Sequence, residues 1–262
     1  MQIAIIGGGN LGTAIAEGLI LSKYCKPTDL VVTRRNTSAL AHLAKKGVAV
    51  TSNNKEAVKN AGLVILAVKP YNYHDILSDM KTALKPAQHV LVSVVTGAWI
   101  EQLGKAVGKK MPIMRAMPNT AIAIRQSMTC LSFADATPQQ VQQVTDLFDR
   151  LGRTVVIDEK LMDASTVLGA CGTAFAMRYI RANIQGGIEI GFDAKTASLI
   201  AAQTVLGAAQ LLLETGSHPE KEIDKVTTPK GCTIAGLNEM EHQGFSSSLI
   251  RGIVTSYEKI GK

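Results

Sequence analysis

The residues best placed to do chemistry stand near the start of the chain. Gly7-Gly8-Gly9-Asn10-Leu11-Gly12 follows the apolar run Ile3–Ile6 directly and opens a helical pattern that extends to Leu21. In this G-x-G-x-x-G spacing Gly7 permits a tight turn. Gly9 lets the backbone approach a pyrophosphate, and Gly12 lets the helix pack close to the strand. The free N–H groups at the helix start, those of Asn10 and Leu11 among them, then face the phosphates. The motif sits within a strand–helix–strand pattern, which is the context that a dinucleotide site requires.

The second strand, Leu30–Thr33, ends at Thr33-Arg34-Arg35-Asn36. An NAD site usually carries an acidic residue there, about 20 residues on, for the ribose 2′-hydroxyl. A carboxylate would repel a 2′-phosphate, whereas guanidiniums attract it and can bond it bidentately. The expected cofactor is NADPH, with NADH a less efficient alternative. A third strand, Leu63–Val68, runs into Ala67-Val68-Lys69-Pro70. Carboxyl ends of parallel strands line the ligand crevice, so Lys69 either meets an anion of cofactor or substrate or is solvated. A fourth strand, Val90–Val95, ends at Thr96-Gly97. Met117-Pro118-Asn119-Thr120 reads as a fixed turn that either shapes a nicotinamide pocket or is only a turn.

Far along the chain, Thr228-Pro229-Lys230-Gly231-Cys232-Thr233 leads into a helix expected over Ile234–Glu241. A hydroxyl-rich loop entering a helix start is an anion site suited to a carboxylate. The alternative is ordinary N-capping by Thr233. The five histidines fall in polar, surface-like segments, and no residue spacing suggests a metal site. Phe175, Met177 and Tyr179 read as core residues.

Strands alternating with helices up to about residue 158 imply a mostly parallel sheet. Thr137-Pro138 starts a helix that stops at Gly152. The remainder reads as helical, with long helices over Ala164–Ile190 and Ala194–Thr215, the second capped by Asp193. Both are apolar on most faces and must be buried. The short remaining chain cannot cover them, so a second subunit is expected to. The expected architecture is α/β: residues 1–158 form an N-terminal Rossmann-like dinucleotide-binding domain, and residues 159–262 an all-α dimerisation and substrate-binding domain.

Of the 262 residues, 46% are hydrophobic and 19% charged, which excludes a disordered or collagen-like chain. Net charge is +7. Residues 1–158 carry 18 Lys and Arg against 10 Asp and Glu, whereas residues 159–262 carry 10 against 11. With few aromatics and no dense basic block, the positive part suits a phosphorylated small molecule rather than nucleic acid. The four scattered cysteines are expected to stay reduced in a cytoplasm. No basic region precedes the strand-like run at Gln2, so no signal peptide is expected. Thr196–Leu213 carries Thr, Ser and Gln, which suits a core or interface helix better than a membrane span.

Together the motifs resemble the pyrroline-5-carboxylate reductase family over nearly the whole chain. The resemblance is carried by Gly9-Asn10-Leu11-Gly12, Asn53-Asn54-Lys55, Ala67-Val68-Lys69-Pro70, Met117-Pro118-Asn119-Thr120 and, most specifically, the loop from Thr228 to Thr233. The family pattern for that loop is Ser/Thr-Pro-Gly-Gly-Thr-Thr-Ile. The resemblance implies that Thr228, Gly231 and the amides of Cys232 and Thr233 hold a substrate carboxylate. It further implies that the Thr233 hydroxyl meets the ring nitrogen, and that Asn54 joins Arg34 and Arg35 at the adenosine ribose phosphate. The implied reaction is hydride transfer from NADPH to the C=N carbon of a cyclic imine carboxylate, giving L-proline. The implied assembly is a homodimer with interlocked C-terminal helices, extended to a ring of dimers in many members.

Some positions depart from the family. Lys230 replaces a glycine, Ala121 a proline and Ser127 a glycine. Gly169-Ala170-Cys171-Gly172-Thr173-Ala174-Phe175 stands for Ser-Gly-Ser-Gly-Pro-Ala-Tyr. A β-hydroxyacid dehydrogenase would need a Lys on the helix Ala164–Ile190, which has only Arg178 and Arg181. A non-catalytic NADP(H) sensor would need no carboxylate loop.

Overall fold

The computed structural model describes residues 2–260. The chain divides into two compact units, one reaching to Cys171 and the other spanning Gly172–Lys259. This division falls later than the one expected after residue 158. Residues 159–171 stay with the first unit because Glu159 pairs with Arg115 of its sheet and because Met162, Thr166 and Val167 are buried.

The first unit is built on eight strands: β1 (Gln2–Ile6), β2 (Leu30–Thr33), β3 (Ala49–Thr51), β4 (Ala61–Leu66), β5 (Val90–Ser93), β6 (Ile113–Met117), β7 (Ser127–Ala134) and β8 (Gly152–Val156). Their order is β3-β2-β1-β4-β5-β6-β7-β8, and every pairing is parallel except β6 with β7. The chain moves outward from β1 to one edge, then returns to β4 on the other side of β1. That reversal opens a crevice beyond the carboxyl ends of β1 and β4.

Both sheet faces are covered, so the central strands are apolar throughout. Along β1, Ile3 and Ile5 enter one core with Ile15, Leu19, Leu147 and Phe148, while Ala4 and Ile6 enter the other with Leu77, Met80 and Leu103. Each fully buried Ile or Leu contributes roughly 1.5–3 kcal/mol. The helix Pro138–Asp149 begins as expected: Thr137 Oγ1 accepts from the Gln140 N–H, and Gln140 Oε1 accepts from the Thr137 N–H. After β2 the chain forms a 3₁₀ turn, Thr37–Leu40, followed by the helix Ala41–Lys45. Asn36 enforces the tighter start by accepting from the Ser38 N–H.

The second unit is helical: Gly172–Glu189, Ala194–Thr215, Pro219–Val226, Cys232–His242 and Phe245–Glu258. Asp193 caps the second of these through the amides of Lys195 and Thr196. The first two helices meet closely where Gly187 faces Ala197; a Cβ on Gly187 would lie 3.2 Å from that of Ala197. By length and composition alone, Ala194–Thr215 is apolar enough to cross a membrane. Of the three residues expected in the core, Phe175 is half-buried, while Met177 is 62% and Tyr179 40% exposed, with Tyr179 against Phe245.

His89 corrects the expectation that every histidine lies at the surface, for it is fully buried. Its Nδ1 accepts from the Lys85 N–H, so Nε2 carries the proton and donates to the Val58 carbonyl. Burial holds its pKa below the ordinary 6.5. The neutral ring therefore contributes stability that is whole above pH 6.5 and is lost as pH falls toward the lower folded value. Urea unfolding at pH 7.5 and 5.5 should show this loss. A His89→Gln variant should start less stable and show a flatter dependence between the two pH values. An unchanged slope would remove His89 from the account.

Candidate functional site

The crevice at the sheet reversal has a volume of about 680 Å³. Its floor is the turn after β1. Gly7 has φ +109°, a conformation open to glycine and poor for other residues. A Cβ on Gly7 would strike the Ala67 carbonyl and the Val68 side chain, and one on Gly12 would strike the Gly7 carbonyl. Gly12 therefore lies beneath the turn and does not line the crevice, whereas Gly7, Gly8, Gly9, Asn10 and Leu11 do. Gly8 also has a steric role that the motif does not announce: its Cβ would press into Leu40 and Val32. Gly9 differs from its neighbours, because a Cβ there would meet nothing within 4 Å. It is also the N-cap of helix Asn10–Leu21, and no side chain caps that helix. An anion can thus reach free backbone amides at the helix start.

The remaining walls come from the other strand ends. Thr33 ends β2 and Arg34 and Arg35 follow it, Ala67 to Pro70 follow β4, and Asn54 begins a short helix after β3. Lys69 is exposed and lies at the crevice. Among the described residues no carboxylate lines it, while Arg34, Arg35 and Lys69 do. Ser52, Asn72, Ile76 and Ala170 also line it without having been expected. Ser52 was hidden because β3 is only three residues long. Ala170 lies a hundred residues away in sequence and gives no local signal. It stands where the resembled family has glycine, so it adds one methyl group to the wall.

Asn119 fixes the crevice wall formed by Met117–Thr120. Its Oδ1 accepts from the Ala121 N–H, and its Nδ2 donates to the Gly169 carbonyl. Its own N–H donates to Ser127 Oγ at 3.1 Å, so the Ser127 departure adds a hydrogen bond to this turn. Gly169 lies in a π-helical turn, Thr166–Cys171, that interrupts the helix expected over Ala164–Ile190. A π turn shifts the backbone hydrogen-bond ladder and is often found at functional sites.

On the second unit, Thr228, Gly231, Cys232 and Thr233 stand together at the start of helix Cys232–His242. The N-cap is Gly231, not Thr233, and no side chain caps the helix. The Gly231 N–H donates to the Thr228 carbonyl, with Pro229 and Lys230 between them. Lys230 has φ +61°, so this is a type II turn with lysine at the position that prefers glycine. The glycine of the family pattern is thereby explained. Among the described residues no cluster of His, Cys, Asp or Glu could hold a metal ion.

Comparisons with known proteins agree with this geometry. A family model described as NADP oxidoreductase, coenzyme F420-dependent, matches residues 2–97. A second, described as pyrroline-5-carboxylate reductase dimerisation, matches residues 159–262. Pyrroline-5-carboxylate reductase 1 of Dictyostelium discoideum is 48% identical over 269 residues, which is 98% of this chain but only about half, 49%, of that protein. Pyrroline-5-carboxylate reductase 2 of the same organism is 43% identical over 277 residues, covering 100% of this chain and 92% of that protein. Among solved structures, a pyrroline-5-carboxylate reductase from Coxiella burnetii has a TM-score of 0.89 at 28% identity, covering 99% of this chain and 97% of that one. Similarity that spans both units in this way has one meaning: the chain belongs to the pyrroline-5-carboxylate reductase family.

Proposed function

We propose that the protein reduces 1-pyrroline-5-carboxylate to L-proline with NADPH. The observation that carries this reading is an acid-free crevice with a glycine loop, on the same chain as an uncapped, hydroxyl-flanked helix start. The first suits a dinucleotide and the second a small carboxylate. The open direction at Gly9 is the cradle that a pyrophosphate requires. Gly7, Gly9, Asn10 and Leu11 would hold the phosphates, with Gly12 supporting the turn. Arg35 and Asn54 would meet the ribose phosphate beside Arg34, and Ala67, Val68, Lys69 and Pro70 would form the crevice wall. When bound, the cofactor supplies a hydride for the C=N carbon.

Thr228, Gly231 and the amides of Cys232 and Thr233 hold the substrate carboxylate. The nitrogen passes from cationic iminium to neutral amine during the reaction. The Thr233 hydroxyl suits both states, accepting from the iminium N–H or donating to the amine lone pair. A protonated imine needs no strong general acid, so orientation is the main task of the protein. Lys230 adds a positive charge beside the carboxylate. The working form is a homodimer with interlocked C-terminal helices, which dimers extend to a ring, and it acts in the cytoplasm. The four cysteines, all free, fit a reducing compartment.

The direct test is loss of NADPH absorbance with pyrroline-5-carboxylate, run beside NADH and a six-membered ring homologue. Fast oxidation with the five-membered ring and NADPH is expected. Tight NADPH binding without oxidation of any imine would overturn the reading. Thr233→Val should raise the barrier by ~1–3 kcal/mol while leaving the NADPH dissociation constant unchanged. Equal loss in both would exclude the proposed contact. Lys230→Gly should stabilise the fold by about 0.5–1 kcal/mol by relieving the left-handed backbone. It should also raise the KM for the imine, since a charge near the carboxylate is removed. Urea unfolding and steady-state kinetics on one preparation separate the two effects.

A further inference from the structure

We infer that the adjacent arginines have different tasks: Arg34 positions the glycine loop for any dinucleotide, and Arg35 reads the 2′-phosphate. The inference rests on the cofactor reading above and assigns its specificity to one residue.

Arg34 already has a protein partner. Its Nη1 donates to the Gly8 carbonyl oxygen at 2.8 Å. The same strand end grips the loop twice more. The Gly8 N–H donates to the Thr33 carbonyl at 2.6 Å, and the Gly7 N–H donates to Thr33 Oγ1 at 3.2 Å. The Gly8–Gly9 peptide is planar and trans, so a Gly8 carbonyl held toward Arg34 turns the Gly9 N–H the opposite way. That amide stands at the uncapped start of the helix, where a pyrophosphate would bind. Without the guanidinium, a glycine–glycine peptide has little else to fix its orientation. Pyrophosphate is common to NADPH and NADH, so the tether serves both.

Arg35 lines the same crevice and is exposed, and no described residue pairs with it. The next residue, Asn36, is occupied in capping, since its Oδ1 accepts from both the amide and the hydroxyl of Ser38. Arg35 is thus the guanidinium beside the crevice with no partner among the described residues, and we assign it the 2′-phosphate.

Isothermal titration of NADPH and NADH into the full chain tests the division. Arg34→Met should raise both dissociation constants by the same factor, about tenfold for a lost charge-assisted bond. Arg34→Lys should recover part of the loss, because an ammonium can reach the same acceptor without the planar fork. Arg35→Gln should weaken NADPH by about tenfold and leave NADH unchanged. The inference fails if Arg34→Met weakens NADPH alone, or if Arg35→Gln weakens both cofactors equally. It also fails if Arg34→Met lowers only the melting temperature and leaves both dissociation constants at the wild-type value, because the tether is then merely structural. Should Arg34→Met not fold, Arg34→Lys decides by the same equal-factor criterion. Wild-type protein that binds neither cofactor overturns the cofactor reading itself and this inference with it.

Discussion

The backbone contact between the first turn and the helix that follows it sets the rest of the first unit. The Cβ that Gly12 lacks would occupy the place of the Gly7 carbonyl, and the Cβ that Gly7 lacks would enter the Ala67 carbonyl and Val68. Three segments, the ends of β1 and β4 and the helix start, therefore meet with only hydrogen atoms between them. A methyl group at either glycine forces backbone apart, because the colliding atoms are main-chain and cannot rotate away. Since β1 and β4 flank the reversal of strand order, this contact sets where the helix amides stand relative to every other strand end. Gly9 has no steric reason to be glycine, for its missing side chain opens on free space. Gly7, Gly8 and Gly12 build the turn, and Gly9 leaves room for what the turn receives.

The opposite wall of the crevice depends on a buried charge. Arg115 on β6 is 1% exposed, with its guanidinium 3.1 Å from Glu159 and 5.5 Å from the centre of the Trp99 ring. The same Glu159 oxygen accepts from the Ile100 N–H at 2.7 Å, so one carboxylate anchors a strand and a helix start together. Arg115 Nη2 and Asp163 Oδ1 are buried without hydrogen-bond partners, 3.9 Å apart. Removing Glu159 would leave the buried guanidinium only the more distant Asp163 as counter-charge, and breaking one partner of a buried pair costs up to about 3–5 kcal/mol. Two residues after Arg115 the chain enters the Met117–Thr120 turn. Ten residues after Glu159 it reaches Gly169, whose carbonyl Asn119 holds. The pair thus fixes both segments that Asn119 joins, and the crevice wall keeps its shape because its supports lie outside it.

Local chemistry was legible in the sequence and long-range chemistry was not. The glycine spacing, the Thr137-Pro138 start and the Asp193 cap each act within a few residues, and each stands in the structure where its spacing put it. His89, Trp99 and Arg115 gave no such signal. His89 is buried because Lys85 and Val58 converge on its two nitrogens, and Val58 is 31 residues away. The length of Ala164–Ile190 suggested one helix, and nothing in its composition marks the π turn at Thr166–Cys171. That turn answers to Asn119, a partner 50 residues earlier. The helix start at Cys232 lies two residues before the expected one. Thr233, whose alternative role was N-capping, is inside the helix and does not cap it. That is the condition under which a hydroxyl at this position can serve a ligand instead.

The second unit poses the opposite problem, too little burial for its apolar content. In Ala194–Thr215 only Ala197 and Ala201 are buried, while Leu199, Leu206 and Leu213 form an exposed stripe at seven-residue spacing. None of the helices Gly172–Glu189, Cys232–His242 and Phe245–Glu258 has a buried residue. A helix that is apolar on most faces is stable in water only when something covers it. The small residues Gly187 and Ala197 bring the two long helices together, and the leucines remain for another surface. The family model that spans these residues describes a dimerisation region, which fits a second copy of the chain as the cover. Stability of this unit then depends on protomer concentration, as in obligate dimers. The loop from Thr228 to Thr233 shares that dependence. Its helix contributes no buried residue of its own, and Lys230 holds it in a backbone conformation that costs energy. An arrangement with so little burial within its own unit gains rigidity from whatever surface covers it, and rigidity before binding is what lowers the cost of holding a ligand.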